Sequence, residues 1–163
     1  MDLTPTHNSH EWPDQAVKIK TLDSCEFAQL LSLLVPDSVG QGFNMLERLV
    51  LEYQSGVNRF DKPGEALFGV YRPKAGIVAV GGLNLNPYPD DPGAGRVRRV
   101  YVHSSFRQQG LGRAIVEAIV AEARRAHYVS LVLRAPKSAF RFYESLGFEA
   151  VSGIDTMNHR LML

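Results

Sequence analysis

The sequence predicts a single mixed α/β domain, in which helices come first and strands joined by helical crossovers follow. The 163 residues are enough for one domain with a core of its own. Two β-branched runs are joined by one amphipathic stretch over about forty residues, which is the pattern of a βαβ unit with parallel strands and a right-handed crossover. No repeat, linker or low-complexity segment divides the chain, so a second domain is not expected.

The elements follow from hydrophobic periodicity and from helix and turn signals. Residues 1–15 are polar, with two prolines and no periodicity, and predict a flexible N-terminal tail before a folded domain of residues 16–163. Strands are predicted at Ala16 to Lys20, Glu65 to Arg72, Gly76 to Leu85, Arg96 to His103, Tyr128 to Arg134, from Phe148, and at Met157 to Leu163. Helices are predicted at Thr21 to Val35, Gly42 to Gln54, Gln109 to Arg125 and Pro136 to Leu146.

Local signals refine these elements. Pro36 is expected to stop the first helix, and the turn ending at Gly76 predicts an antiparallel hairpin of the second and third strands. Val116 and Val120 widen the apolar stripe of the third helix, which suggests cover on a second side.

Composition excludes several classes of protein. The net charge of +1 gives no general attraction to nucleic acid or to an anionic membrane, and no apolar run approaches the roughly 20 residues of a membrane span. The single cysteine, Cys25, excludes an internal disulfide, fits a reducing compartment and is expected to be a small packing residue. No signal-peptide pattern is present, and His7 and His10 lack the further ligands that a metal site needs, so we expect a cytoplasmic protein without a metal.

The most informative stretch is Arg96 to Ala114, a β-branched strand, a short polar turn, and two glycines that open a helix. The first N–H groups of a helix lack intrahelical partners and stand at the positive end of its dipole, so they form a ready site for phosphate. Arg107 and Arg113 flank the turn and add positive charge.

Two common phosphate loops do not fit this stretch. No G-x-x-x-x-G-K-[ST] string exists in the chain, which excludes a P-loop. Gly110-Leu-Gly112 lacks the third glycine of a dinucleotide-binding turn, and no acidic residue stands about twenty residues further on to hold a ribose.

Two segments instead resemble the GNAT superfamily of N-acetyltransferases. Arg107-Gln-Gln-Gly110-Leu-Gly112 is similar to its R-x-x-G-x-G acetyl-CoA signature, and Ala139 to Phe148 is similar to its A-x-x-x-Y-E-x-x-G-F segment. The resemblance extends from about Ala16 to Leu163, in outline only over the first half. It implies a central, mostly antiparallel sheet with one parallel βαβ unit and helices on both faces.

The resemblance also implies which residues bind acetyl-CoA. The two parallel strands part near their C-terminal ends, and pantetheine pairs with freed backbone groups of the first strand, at Val100 and Val102. The cofactor-binding residues are then Val100, Tyr101, Val102, Arg107, Gln108, Gln109, Gly110, Leu111, Gly112 and Arg113. Tyr143 matches the position that often protonates the departing thiolate; the alternative is a tyrosine that packs between helix and sheet.

The acceptor end departs from the family pattern. Many relatives carry a glutamate near the start of the motif strand, where this chain has Arg96, and arginine cannot act as a base. Water, Glu65, Glu52 or His103 are the alternatives, although His103 also fits a surface residue at a strand end. Four residues are expected to line a site for an amine that also carries an anionic group, with a solvated basic face as the alternative: Asn84, Tyr88, Arg96 and Arg98.

The sequence thus predicts an acetyl-CoA-dependent N-acetyltransferase for a small-molecule or amino-acid-like primary amine. A protein or peptide amine as acceptor, or a non-catalytic acyl-CoA-binding module, are the alternatives. The C-terminal strand could supply the edge of a homodimer. The sequence leaves open the identity of the acceptor, the length of the acyl chain and the general base.

Overall fold

The computed structural model describes residues 16–19 and 24–163, with side chains from residue 25 onward. The predicted tail and the predicted helix start at Thr21 to Asp23 lie outside these residues. The described strands are β1 (Ala16–Ile19), β2 (Ala66–Arg72), β3 (Gly76–Leu85), β4 (Ala94–Val102), β5 (Ser130–Leu133), β6 (Glu149–Ala150) and β7 (His159–Met162). The helices are α1 (Ser24–Gln29), α2 (Val35–Gly40), α3 (Met45–Ser55), α4 (Leu111–Arg125) and α5 (Phe140–Ser145).

The described strands form one sheet of order β1-β2-β3-β4-β5-β7-β6. β4 and β5 are parallel, and the remaining strand pairs of this sheet are antiparallel. The predicted hairpin and the predicted βαβ unit β4-α4-β5 are therefore confirmed. β7 lies inside the sheet, and β6 covers only its first two residues, so Leu161 and Met162 keep a free edge.

The sheet is covered by helices on both faces, as predicted. Ile115 and Ile119 of α4 pack on one face with Leu83 and Val97 of the sheet. The helices α1 to α3 cover the other face, where their apolar side chains form a second core with Tyr101 of β4. In the described part of the chain, no helix is long and apolar enough to cross a membrane.

The prediction that Pro36 ends the first helix was wrong. A π-helical turn, Leu30–Leu34, continues α1 into α2, and Pro36 stands in the first turn of α2. Pro36 has no N–H to donate, and the π-helical turn directly before it is where the regular hydrogen-bond pattern of this continuous helix is interrupted. The predicted packing role of Cys25 was also wrong, since its side chain is exposed.

β4 has two irregularities that shape the rest of the molecule. A bulge opposite Gly81 inserts one residue, and Arg99 adopts a left-handed φ of 58° there. β4 pairs with β5 only over residues 94–96, after which the two parallel strands separate. The second half of β4 is therefore bonded to β3 along one edge and open along the other.

Candidate active site

The separation of β4 from β5 opens a cleft of about 1170 Å³. One wall is β4 from Val97 to Val102, and the facing wall runs from Leu133 to Pro136 after β5. The start of α4, the helix α5 and the segment between α2 and α3 complete the lining. Open parallel sheets bind ligands at the C-terminal ends of their strands, which is where this cleft lies.

The open edge of β4 presents backbone groups to the cleft. The N–H of His103 donates to Val78 O of β3 at 2.9 Å. Because N–H groups alternate between the two edges of a strand, that of Val102 points away from β3, toward the cleft. β5 does not reach this residue, so the edge is available to an extended ligand.

The start of α4 is uncapped and open to the cleft. Gly110 is the N-cap residue with φ 77°, and no side chain caps the first turn. A Cβ placed on Gly110 would meet no atom within 4 Å, so the space before the helix is open. The preceding Gln108 is also left-handed, with φ 61°, and this turn aims several N–H groups at one point.

Gly112, unlike Gly110, lies in close contact with another helix. A Cβ at Gly112 would lie 3.1 Å from the ring of Phe142, so this glycine lets α4 and α5 approach closely. The cleft floor between the two helices depends on that approach.

A hydrogen-bond cluster centred on Asp37 fixes the end of β4. The Asp37 carboxylate accepts from Tyr101 Oη at 2.6 Å, from the Ser104 N–H at 2.9 Å and from the Ser104 hydroxyl, and it lies 3.6 Å from His103 Nε2. Arg107 donates to Val102 O at 3.2 Å and to Tyr101 Oη at 3.4 Å. The cluster ties α2 to the turn that leads into α4.

The cluster sets two pKa values. Desolvation alone would raise the pKa of Asp37, but the hydrogen bonds from Ser104 and Tyr101 outweigh it and lower this pKa to about 2. Burial, and then the hydrogen bond to Asp37, raise the pKa of Tyr101 to about 12. Asp37 is therefore a carboxylate, and Tyr101 a neutral phenol, over the ordinary range of pH.

Tyr143 lies on α5 in the wall of the cleft. Its ring packs edge-on against Phe142 and Phe148, and burial raises its pKa to about 12. None of the described residues forms a hydrogen bond with its hydroxyl, which leaves a protonated donor at the cleft. Both sequence-based interpretations of Tyr143 agree with this position, because it packs in the core and also lines the cleft.

The four predicted acceptor residues take two different positions. Arg98 lines the cleft, whereas Asn84, Tyr88 and Arg96 do not. Arg96 is buried, donating to Thr156 O at 2.6 Å and to Asn86 Oδ1 at 3.4 Å, with its guanidinium over the Tyr88 ring. Asn84 exchanges two hydrogen bonds with Asn58, at 2.9 and 3.0 Å.

The three side chains named as alternative bases do not line the cleft. Glu52 forms an ion pair with Arg99 at 2.9 Å, and it is Arg99, not Glu52, that lines the cleft. His103 directly follows β4, as expected for a residue at a strand end. Its side chain is half-buried, and its Nδ1 accepts from the Ser105 N–H. Glu65 precedes β2 beside Tyr128, whose pKa is raised by burial and then by this carboxylate.

Sequence reasoning missed several lining residues. Arg134 comes directly after β5, and the general position of ligands at strand C-termini was the signal that could have found it. Phe43 and Asn44, between α2 and α3, and Glu47, in the first turn of α3, also line the cleft, and no local pattern marks them. Among the described residues, no group of three or more His, Cys, Asp or Glu side chains could hold a metal ion.

More than half of the chain matches a known protein family. Residues 65–150 match the family described as acetyltransferase (GNAT) domain. The chain belongs to this GNAT family. It is an acyltransferase, and the family to which it belongs uses acetyl-CoA.

Solved GNAT structures share the whole fold. A protein from Exiguobacterium sp. 255-15 assigned as an acetyltransferase is 30 % identical, covers 90 % of this chain and 91 % of its own, and has a TM-score of 0.76. The PaiA N-acetyltransferase of Thermoplasma acidophilum, solved with coenzyme A, is 11 % identical, with coverages of 91 % and 99 % and a TM-score of 0.63. Glucosamine-6-phosphate N-acetyltransferase from Arabidopsis thaliana is 20 % identical, with coverages of 86 % and 96 % and a TM-score of 0.62. No curated protein is detectably similar in sequence to the chain.

The residues of this GNAT domain fit the chemistry of coenzyme A. The open, uncapped start of α4 suits a pyrophosphate, and the free edge of β4 suits the amides of pantetheine. Arg107 is already held by Val102 O and Tyr101 Oη, so its charge stands fixed beside the turn.

Proposed function

We propose that the chain transfers the acetyl group of acetyl-CoA to a primary amine of a small-molecule or amino-acid-like acceptor by direct attack. One observation carries the proposal: the cleft joins an uncapped helix start, a free strand edge and a protonated Tyr143 in one continuous space. An activated thioester and an amine need to meet in such a space.

Each part of the cleft has a stated role in this proposal. The turn from Arg107 to Arg113 holds the pyrophosphate, with Tyr101 positioned by Asp37 behind it. Val100 and Val102 pair with pantetheine, and a β4 N–H is placed to polarise the carbonyl. Acetyl-CoA supplies an electrophilic carbonyl and a thiolate leaving group.

Tyr143 is the proposed general acid. The amine nitrogen forms a bond to the carbonyl carbon, the carbon–sulfur bond breaks, and the Tyr143 hydroxyl gives its proton to the departing thiolate. The Tyr143 phenolate then regains a proton from solvent water. Because burial keeps the pKa of Tyr143 at about 12, the proton is present at every pH where the amine is a nucleophile. We propose that the amine loses its own proton to water, since the cleft lining offers only the exposed Glu47 as a carboxylate.

Arg96, Asn84 and Tyr88 act behind the acceptor site in this proposal. Arg96 links β4 to the loop at Thr156, and it stacks on Tyr88. These contacts hold Arg98, two residues further along β4, at the cleft wall. The exposed, unpaired Cys25 supports the proposed cytoplasmic location, and the free half of β7 supports a possible homodimer edge.

The test is thiol release from acetyl-CoA with a panel of amines. Purified protein is mixed with acetyl-CoA and small primary amines, amino acids or short peptides, and the free thiol of coenzyme A is detected with a chromogenic reagent. Turnover with small amines, confirmed by mass spectrometry of the acetylated product, supports the proposal. Turnover with peptides alone assigns a peptide acceptor instead, and coenzyme A binding without thiol release for any amine overturns the proposed activity.

A further inference from the structure

Arg98 on β4 and Arg134 directly after β5 lie on opposite sides of the point where the two strands separate. Arg96 of β4 is paired in register with Val132 of β5. Two residues further along each strand come Arg98 and Arg134, which would face each other if the pairing continued. The strands part at that point, and both side chains line the cleft.

The two guanidinium groups lie on the same side of the sheet. Side chains two residues apart on a strand share a face, so Arg98 lies with Arg96, and Arg134 lies with Val132. Burial, then the charge of Arg98 and, more weakly, that of Arg134 lower the pKa of Arg96. Arg98 and Arg134 therefore both lie close enough to Arg96 to act on its charge.

These charges lack carboxylate partners among the described residues. The half-buried side chain of Arg98 forms no ion pair or hydrogen bond with the described residues. The side chain of Arg134 donates only to the backbone carbonyl of Asp155. Arg96 donates to a carbonyl and an amide oxygen. The neighbouring Arg99 shows the contrast, because it is paired with Glu52.

Like charges held together without a counter-ion are unfavourable until an anion binds between them. Arginine also offers several N–H donors in a planar fork that matches a carboxylate or a phosphate group. A cleft wall that excludes part of the solvent strengthens this attraction. The acid that lines the same cleft, Glu47 of α3, is exposed and is suited to the acceptor's ammonium group.

We infer that Arg98 and Arg134 together bind an oxyanion, a carboxylate or a phosphate, on the amine acceptor. This inference rests on the proposed N-acetyltransferase activity and names its substrate class. A strand advances about 3.3 Å per residue, so Arg98 lies within about 7 Å of the reacting edge at Val100. The amine and the anionic group of the acceptor are therefore separated by only a few bonds.

Matched acceptors test the inference in the wild-type protein. The ratio kcat/KM is measured for alanine and phenylalanine against their amides, and for O-phosphoethanolamine against ethanolamine. The anionic member of at least one pair should be preferred tenfold or more, and the preferred pair identifies a carboxylate or a phosphate. An amino-acid amide has a more acidic ammonium group than the acid, so the fraction of free amine favours the amide and cannot produce this preference.

Variants then assign the preference to the two arginines. Arg98→Met and Arg134→Met should each lower kcat/KM for the anionic acceptor tenfold or more, mainly through KM, while kcat/KM for the uncharged acceptor stays within about twofold. Arg98→Lys should recover part of the loss. Arg48→Met, an exposed arginine of α3 outside the cleft, is the matched control and should change neither value.

A binding measurement serves if a variant folds poorly. Propionate, 3-phenylpropionate and ethyl phosphate lack the amine, and at least one should inhibit the wild type competitively against the acceptor. Equal kcat/KM for charged and uncharged acceptors, or an equal loss for both in Arg98→Met, overturns the anion site but leaves the acetyltransferase standing. Absence of thiol release with every amine overturns the proposed function itself.

Discussion

The two halves of the cleft are built in different ways. In the proposed coenzyme half, from Val100 to the start of α4, the groups open to a ligand are backbone N–H and C=O groups of one continuous segment. In the acceptor half, they are side chains of β4, of the residue after β5 and of the segment between α2 and α3. A binding site of backbone groups depends only on the backbone conformation of one short segment. A binding site of side chains from several segments also depends on how those segments are placed relative to one another.

The two halves also differ in how they are held. The coenzyme half is tied down by Asp37, which accepts hydrogen bonds from Tyr101 and Ser104. In the acceptor half, Arg98 has no protein partner among the described residues. The difference suggests that one half is preorganised for a constant ligand, while the other is completed by the acceptor.

The largest effect is expected at the junction of the two helices. Gly112→Val places methyl groups against the Phe142 ring, which a Cβ alone would already approach to 3.1 Å. We expect a loss of about 1–3 kcal/mol in the free energy of unfolding, measured by urea denaturation, together with loss of most coenzyme A affinity. Phe142→Leu makes room and should restore part of both in the double variant. Equal losses in the single and the double variant would contradict this contact.

Tyr143 lines the cleft and is the proposed general acid, so its variant tests the reaction itself. Tyr143→Phe keeps the packing and removes the proton, so kcat should fall about tenfold to a hundredfold while the Kd for coenzyme A stays unchanged by calorimetry. In the wild type, the pKa of about 12 means that no loss of kcat should come from this group below about pH 10. An unchanged kcat in the variant would leave Tyr143 as a packing residue only.

Burial of Arg96 predicts a structural effect in the acceptor half. Arg96→Met leaves the carbonyl of Thr156 and the side-chain oxygen of Asn86 without their donor. We expect a loss of about 1–3 kcal/mol in unfolding free energy, measured by thermal and urea denaturation, with a rise in acceptor KM smaller than that in Arg98→Met. A larger rise in KM with unchanged stability would instead place Arg96 in direct contact with the acceptor.

The smallest effect is expected at Asp37. Asp37→Asn weakens the hydrogen bonds to Tyr101 and Ser104, so the KM for acetyl-CoA should rise threefold to tenfold with kcat nearly constant. S-acetylpantetheine lacks the pyrophosphate, and its KM should change less if Asp37 acts through the phosphate turn.

The same variant also has a pH signature. The pKa of Asp37 is lowered from 3.8 to about 2, so the carboxylate stabilises the fold above about pH 4 and this contribution is lost as the pH falls through about 2. The stability difference between wild type and Asp37→Asn should shrink over that interval. A difference that does not change with pH would exclude the charge as its cause.

The sequence could determine the features that depend on near neighbours in the chain. The left-handed φ at Gly110 and the uncapped helix start follow from the residue types of one short segment. The motifs ending at Gly112 and Phe148 identified the family. The strand runs and the antiparallel hairpin follow from periodicity and a turn. Pro36 misled this reasoning because a π-helical turn lets the helix continue past a residue that has no backbone N–H to donate.

Only the tertiary structure decided how distant segments meet. The bulge at Arg99, the end of β4–β5 pairing after Arg96, and the positions of Arg98 and Arg134 depend on strand register. Burial of Arg96 depends on a loop sixty residues further along the chain, at Thr156. The backbone conformation of a short segment depends on its own residues, whereas register and burial depend on the packing of the whole sheet. The uncapped glycine turn before α4 could therefore be predicted from sequence, and the positions of Arg96, Arg98 and Arg134 could not.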